Sequence, residues 1–303
     1  DFQVFDTENP ACSVESVPVS VNDRTRFIYE AACCGLRDFF VKNGYKKACV
    51  GVSGGIDSAV VACLAVAALG AENVRGLMMP SQFSSEGSVE DAKQLAENLG
   101  IEFHVVPITE AYRSIVDTLI PVIGGTDFDA TEENIQSRIR TLMLMALQNK
   151  NGYVLLNCSN KSENALGICT LYGDTGGAFS VTGDLYKTEM YDLARYINRK
   201  FGAPIPENIL TKEPSSELRP NQKDSDMLPS YEVVDAILYR LIEDGQSREE
   251  IINAGFDSDE VQKIYAMVMR NEKKRFQYPP VLRLSSSSFG HEYRMPLTHK
   301  YVK

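Results

Sequence analysis

Between residues 50 and 60 the chain reads VGVSGGIDSAV. Gly54 and Gly55 lack a Cβ, so the backbone there can turn tightly and come close to an anion. Successive backbone N–H groups then point into one concavity. A helix that begins near Asp57 and Ser58 adds the positive end of its dipole. The hydroxyls of Ser53 and Ser58 can donate to phosphate oxygens. Asp57 is the odd member, because a carboxylate repels phosphate; it makes sense if a hard cation such as Mg²⁺ lies between them. No lysine follows the second glycine, so the GxxxxGK[ST] loop is absent, and so is GxGxxG. A capping turn that merely needs glycine gives the same letters, but a strand before and a helix after favour an anion cradle.

Such a loop needs a rigid frame. KKACVGV reads as the strand before it and DSAVVACLAVAAL as the helix after it. VRGLMMP, EFHVVPI and GYVLLNC read as further strands, with SVEDAKQLAENLG and TEENIQSRIRTLMLMALQNK as helices between them. This rhythm predicts an α/β fold, a doubly wound and mostly parallel sheet of about five strands covered on both faces. Ligands in such sheets sit at the carboxyl ends of the strands, where the glycine loop falls. NDRTRFIYEAACCGLRDFFVKNG predicts a helix ahead of the first strand, with Gly44 as its stop. Beyond residue 185 the pattern is helical: LYKTEMYDLARYINRKFG, SYEVVDAILYRLIEDG and SDEVQKIYAMVMRNEKKRF. The polar stretch 211–229 between the first two is long for a loop and is the candidate lid. Residues 1–22 read as a linker or arm, 23–280 as one domain, and 281–303 as a tail whose tetraserine, Ser285–Ser288, carries no assigned role.

The 303 residues carry a net charge of −10, which argues against a nucleic-acid partner. The longest apolar run, Ala59 to Leu69, is too short for a bilayer, and no secretory leader is evident. Seven cysteines without a CxxC pair predict reduced thiols and a cytoplasmic protein. The start at Asp1 suggests a trimmed chain. His104, His291 and His299 are scattered and nominate neither a metal site nor a nucleophile relay.

SGGIDS resembles the signature loop of the ATP pyrophosphatases, which cleave ATP between the α and β phosphates and place AMP on an acceptor. Further segments resemble one branch of that superfamily, the NAD synthetases: MMPSQFSSEGSVEDAKQLAENLGI, TEENIQSRIRTLML, NKSENALGICTLYGD, DLYKTEMYDLARYIN, IPENILTKEPSSELRPNQ and NEKKRFQYPP. Together they cover most of residues 45–280, in matching order. SSELRPNQKDSDMLPSYEVVD is similar to the glutamine-dependent type, in which a glutaminase domain precedes this part. The resemblance implies an adenine nucleotide α-hydrolase-like fold, Mg²⁺ as cofactor and ATP as cosubstrate. It also implies a homodimer or larger homo-oligomer, and the apolar stretch TLMLMALQ could lie in an interface.

The resemblance also implies site roles. Gly51, Ser53, Gly54, Gly55, Asp57, Ser58, Cys158, Lys187 and Ser215 fall at positions for ATP and pyrophosphate. Asp57 and Glu163 match the metal ligands, and Lys187 matches a lysine able to neutralise charge on the α-phosphate. Asn134, Arg138, Glu163, Leu171, Asp174 and Lys274 match positions for the dinucleotide, deamido-NAD. Cys158 and Ser215 replace threonines, and Leu171 replaces a lysine of the ammonia-dependent branch. Without the resemblance, Glu163 reads as a first-turn glutamate and Lys187 as a surface lysine. Lys273, Lys274 and Arg275 read equally as cations at a helix C-terminus. A helical wheel through Ile135, Ile139, Leu142 and Ala146 puts Arg138 at the margin of the apolar stripe and turns Arg140 away from it.

The implied reaction is ATP-dependent amidation of deamido-NAD through an acyl adenylate, with Asp57, Glu163 and Lys187 as the catalytic set. Ammonia would come from solvent or from a glutaminase domain absent here. Alternatives on the same loop are GMP synthetase and tRNA-thiolating enzymes; the latter want paired cysteines and a basic face. A nucleotide-sensing scaffold is the alternative outside catalysis.

Overall fold

The computed structural model of the chain describes residues 24–125, 127–220 and 222–299; the arm read at residues 1–22 lies outside them. The described residues open with α1 (Arg24–Asn43), β1 (Lys47–Gly51) and α2 (Ile56–Leu69). β2 (Val74–Met78), α3 (Glu86–Leu99), β3 (Glu102–Val105), α4 (Thr109–Ile123), α5 (Ala130–Asn151) and β4 (Tyr153–Asn157) follow. Then come α6 (Lys161–Leu166), β5 (Phe179–Ser180), α7 (Lys187–Lys200) and α8 (Glu207–Thr211). The last helices are α9 (Tyr231–Ile242), α10 (Arg248–Asn253), α11 (Ser258–Arg270) and α12 (Glu272–Arg275).

The strands form one sheet in the order β3-β2-β1-β4-β5, every pairing parallel. Alternate residues explain its two covered faces. Ala48, Val50, Val154 and Leu156 join the core under α1, α2, α3 and α7. Cys49, Leu77, Tyr153 and Leu155 join the core under α4 and α5. α2 is apolar around most of its circumference because the sheet lies on one side and helices on the others. A third core, from Val234, Leu238, Val261 and Ile264 among others, holds the helical C-terminal region together.

β1 lies between β2 and β4, so the chain's winding reverses there, and the crevice at that point is where such sheets bind ligands. The parallel fold is as the sequence pattern predicts. Three elements depart from it. α4 carries Pro121 and no fully buried residue, so its pattern gave no clear signal. β5 is two residues long, too short to show a period. The helix expected to run over 258–276 breaks at Asn271, whose side chain donates to Leu166 O at 2.7 Å and Met267 O at 2.8 Å.

Candidate active site

The glycine loop leaves β1 with Val52 N–H bonded to Leu77 O at 2.8 Å, so the sheet edge fixes its entry angle. Gly54 takes φ +78°, and a Cβ there would sit 2.3 Å from the backbone oxygen of Ser88. Only glycine lets α3 pack so closely against the loop. The loop is tied internally: Ser53 N–H donates to Ser58 Oγ at 3.1 Å, Gly55 N–H to Ser53 Oγ at 3.2 Å, and Ser58 Oγ to Gly55 O at 3.1 Å. The two hydroxyls therefore shape the cradle as well as face it. α2 starts without a side-chain cap, which leaves its first amides free for an anion.

Asp57, in the first turn of α2, meets two segments from across the switch point. Its Oδ2 accepts from Lys187 Nζ at 2.6 Å and its Oδ1 from Asn160 Nδ2 at 3.0 Å. Lys187 Nζ also reaches Glu163 Oε1 at 3.3 Å. Lys187 is 3% exposed, not the surface lysine its sequence context suggests. Burial opposes its charge, yet Asp57 and Glu163 hold the ammonium well above its ordinary pKa. Glu163 is pushed well upward by burial, and Asp57 beside it adds to that, against the pull of Lys187. Two carboxylates thus share one ammonium. Mg²⁺ is held elsewhere by one or two carboxylates plus phosphate oxygens and water, so Asp57 and Glu163 fit such an ion. Among the described residues no cluster of three or more His, Cys, Asp or Glu side chains could hold a metal without help from a ligand.

These groups line a pocket of about 320 Å³. Gly51, Ser53, Gly55, Asp57, Ser58, Cys158, Glu163, Asp174, Lys187 and Ser215 all face it. Gly54 contributes the turn rather than the wall. Cys158 Sγ lies 4.0 Å from Gly51 O, and burial pushes the thiol strongly up, so it is an inert wall rather than a nucleophile. Ser215 Oγ donates to Gln222 O at 2.6 Å inside the 211–229 loop.

The residues expected on the dinucleotide side gather at one place, the turn 167–174. Asn134 Oδ1 accepts from Thr170 Oγ1 at 2.6 Å, and Arg138 Nε donates to Leu171 O at 3.2 Å. Lys274 Nζ donates to Gly167 O at 2.6 Å and Cys169 O at 2.8 Å. Asp174 closes the turn, accepting from Thr170 N–H at 2.6 Å. It also lines the pocket, and desolvation by the surrounding protein pushes its carboxyl up to about 6. Asn134, Arg138, Leu171 and Lys274 do not line the pocket itself.

Sequence reasoning turned Arg140 away from the site; the structure turns it in. Its Nε donates to Met79 O at 3.0 Å, it lines the pocket, and burial pushes it down to about 10 despite Glu217 and Asp174 nearby. The wheel failed because it weighed only apolar residues. Leu142, placed in the stripe, is 66% exposed, whereas Gln136 is fully buried and donates to Leu218 O at 2.8 Å. The covering loop buries the polar side of α5, so the true stripe is centred nearer Gln136, Ile139 and Arg140. That loop supplies further residues the sequence did not nominate. Lys212 and Glu217 line the pocket; Glu217 accepts from Ser85 N–H at 3.2 Å, Ser85 Oγ at 2.7 Å and Ser88 Oγ at 2.8 Å. Lys212 pairs with Asp91 at 2.9 Å. Nothing local marks Glu217, because its serine partners lie about 130 residues away in the chain.

The geometry has close counterparts. The family model described as NAD synthase matches residues 28–278. A glutamine-dependent NAD(+) synthetase of Aquifex aeolicus is 52% identical over 91% of this chain and 48% of its own length. One of Thermotoga maritima is 47% identical over 92% of this chain and 48% of its own. A solved glutamine-dependent NAD+ synthetase of Acinetobacter baumannii, in complex with ADP, superposes with a TM-score of 0.63 at 41% identity, covering 94% of this chain and 51% of that one. The chain spans about half the length of the curated relatives it matches.

Proposed function

The chain belongs to the NAD synthase family, and from that premise we propose that it amidates deamido-NAD to NAD at the expense of ATP. The nicotinate carboxylate attacks the α-phosphate, pyrophosphate leaves, and ammonia displaces AMP from the acyl adenylate. Adenylation is required because a free carboxylate does not react with an amine. The observation that carries this reading is Lys187 Nζ held between Asp57 and Glu163, in front of the uncapped start of α2.

The residues divide the work. The amides of the glycine loop and of the first turn of α2 receive the pyrophosphate. Lys187 carries a fixed positive charge to where charge builds on the α-phosphate. Asp57 and Glu163 would hold Mg²⁺, which supplies neutralisation of the phosphates when bound. Asp174 and the turn braced by Asn134, Arg138, Leu171 and Lys274 orient the dinucleotide, and the 211–229 loop excludes water from the adenylate. Cys158 and Ser215 complete the wall on the ATP side.

The glutamine-dependent relatives and the half-length coverage support a glutaminase domain in the whole protein as the ammonia source. The exposed apolar side chains Val122 and Ile123 of α4 and Leu142 of α5 support a homodimer through these helices. Free thiols at Cys33, Cys34, Cys49, Cys63, Cys158 and Cys169 support a cytoplasmic setting. Among the described residues no helix is long and apolar enough to cross a membrane.

The test is one assay on the purified chain with ATP, Mg²⁺ and deamido-NAD, given ammonium or glutamine. NAD and AMP in equal amounts with ammonium, and neither with glutamine, is the expected result. AMP without NAD would point to another acceptor, and neither product would overturn the reading.

A further inference from the structure

α6 is six residues long, too short to be stable by itself. Nearly every residue of its first turn is instead pinned to a different element. Asn160 holds Asp57. Ser162 Oγ donates to Asp235 Oδ1 of α9 at 2.5 Å and accepts from Lys187 N–H at 2.9 Å. Asn164 Nδ2 donates to Gly183 O at 3.1 Å. Between them Lys161 points the other way, into the protein, with none of its surface exposed.

Lys161 Nζ donates to Asp184 Oδ1 at 2.8 Å, Ser285 Oγ at 2.7 Å, Ser287 O at 3.0 Å, and Glu243. Its backbone N–H donates to Leu185 O at 2.7 Å. Asp184 also accepts Leu284 N–H and Ser285 N–H at 2.7 Å each, and Ser285 Oγ at 2.9 Å. Glu243 accepts from Ser286 Oγ as well. The tetraserine is therefore the outer wall of a buried ionic hub. Lys161 stands two residues before Glu163, and Asp184 three residues before Lys187. One ion pair thus ties together the two segments whose side chains meet at 3.3 Å in the pocket.

We propose that Lys161, paired with Asp184 and walled by residues 284–288, is a positioning residue that sets the spacing of Glu163 and Lys187. A buried ion pair adds little net stability over an apolar replacement, but it fixes register, because its directional bonds are met in one arrangement only. Groups that orient metal-holding side chains act in the same way, and their loss lowers metal affinity about 10- to 100-fold. This positioning role rests on the reaction proposed above; the hub itself does not.

The test uses the full chain, the double variant Lys161→Met with Glu243→Gln, and the single variant Ser285→Ala. The double variant leaves Asp184 with its two backbone donors and Ser285, so no second buried carboxylate is stranded. Thermal unfolding, ATP affinity as a function of Mg²⁺ by calorimetry, and kcat and KM with ammonium are measured. The expected result for the double variant is a folded protein whose half-saturating Mg²⁺ for ATP binding rises about tenfold. Its kcat falls about tenfold or more, and its KM for deamido-NAD changes little. Ser285→Ala shifts the same quantities in the same direction by less. A folded double variant with the wild-type Mg²⁺ dependence and kcat overturns the proposal. If that variant does not fold, an unchanged Mg²⁺ dependence in Ser285→Ala overturns it. A wild-type chain that binds ATP but makes no NAD sinks the reaction alone, and the Mg²⁺ dependence still decides the hub; a chain that binds no ATP sinks both.

Discussion

Asn160 Nδ2 lies 3.0 Å from Asp57 Oδ1, while the oxygen of the same amide accepts from Glu163 N–H at 3.0 Å. One side chain therefore caps the helix that carries one candidate metal-holding carboxylate and orients the other. Asn160→Ala should lower turnover about 10- to 100-fold and raise the Mg²⁺ requirement. Asp57→Asn and Glu163→Gln should each remove at least about a hundredfold of turnover. Steady-state rates at rising Mg²⁺ check all three; near-normal rates at saturation would refute the assignment.

Gly54→Ala should weaken ATP binding and lower the unfolding temperature. The left-handed φ costs a side chain on the order of 1–2 kcal/mol, and the new Cβ would overlap the Ser88 carbonyl at 2.3 Å. Relief requires moving α3 away from the loop. Calorimetric ATP titration and a thermal melt read the two effects separately, and a wild-type result in both would show that the close approach is dispensable.

Arg140→Ala should damage ATP binding more than Arg138→Ala does, because Arg140 is half-buried and faces the pocket whereas Arg138 is exposed outside it. Arg138→Ala should act chiefly on the KM for deamido-NAD, through loss of its bond to Leu171 O. A KM survey of both substrates in both variants separates the roles. The expectation drawn from the wheel alone, a mild Arg140 effect, is the outcome that would count against the structure.

Asp235 is 5% exposed, and burial pushes its carboxyl up to about 6 although Ser162 and Thr188 donate to it. The native state then holds this proton more tightly than the unfolded chain, so stability falls as pH rises through roughly 4 to 6. Relative to Asp235→Asn, the wild type should lose up to about 3 kcal/mol between pH 4 and pH 7, at about 1.4 kcal/mol per pKa unit. Urea unfolding of both proteins across that range checks it; parallel curves would reject the shift.

The 211–229 loop covers the pocket with Lys212, Ser215, Glu217 and Leu218, and Glu217 fastens it to the start of α3. ATP together with deamido-NAD should slow proteolysis inside this loop, and Glu217→Ala should speed it. Cutting rates that ignore both would show that the loop does not close over substrate.

Much of the frame was legible because its signals are local. The glycine loop, four strands and the long helices declare themselves within windows of a few turns. Asp57, Glu163 and Lys187 were reached through motif resemblance, and their meeting is a matter of sheet order rather than of any period. Arg140 was misjudged because burial on α5 is set by a loop about 80 residues away, as the Gln136 bond to Leu218 shows. Lys161, Asp184, Glu243 and Ser285 were invisible for the same reason: each is an ordinary polar residue until the others are brought to it.

β5 is only two residues long, and its outer edge is finished by residues from the far end of the chain: Ser180 N–H donates to Pro280 O and Leu282 N–H to Ser180 O. During synthesis on a ribosome the first four strands could assemble early, but this edge cannot close until residue 282 has left the exit tunnel. The hub behind Glu163 must wait a few residues longer. Catalytic competence would then arrive last, after the sheet is built, and a nascent chain stalled before residue 280 would carry a folded sheet with an unfinished active site.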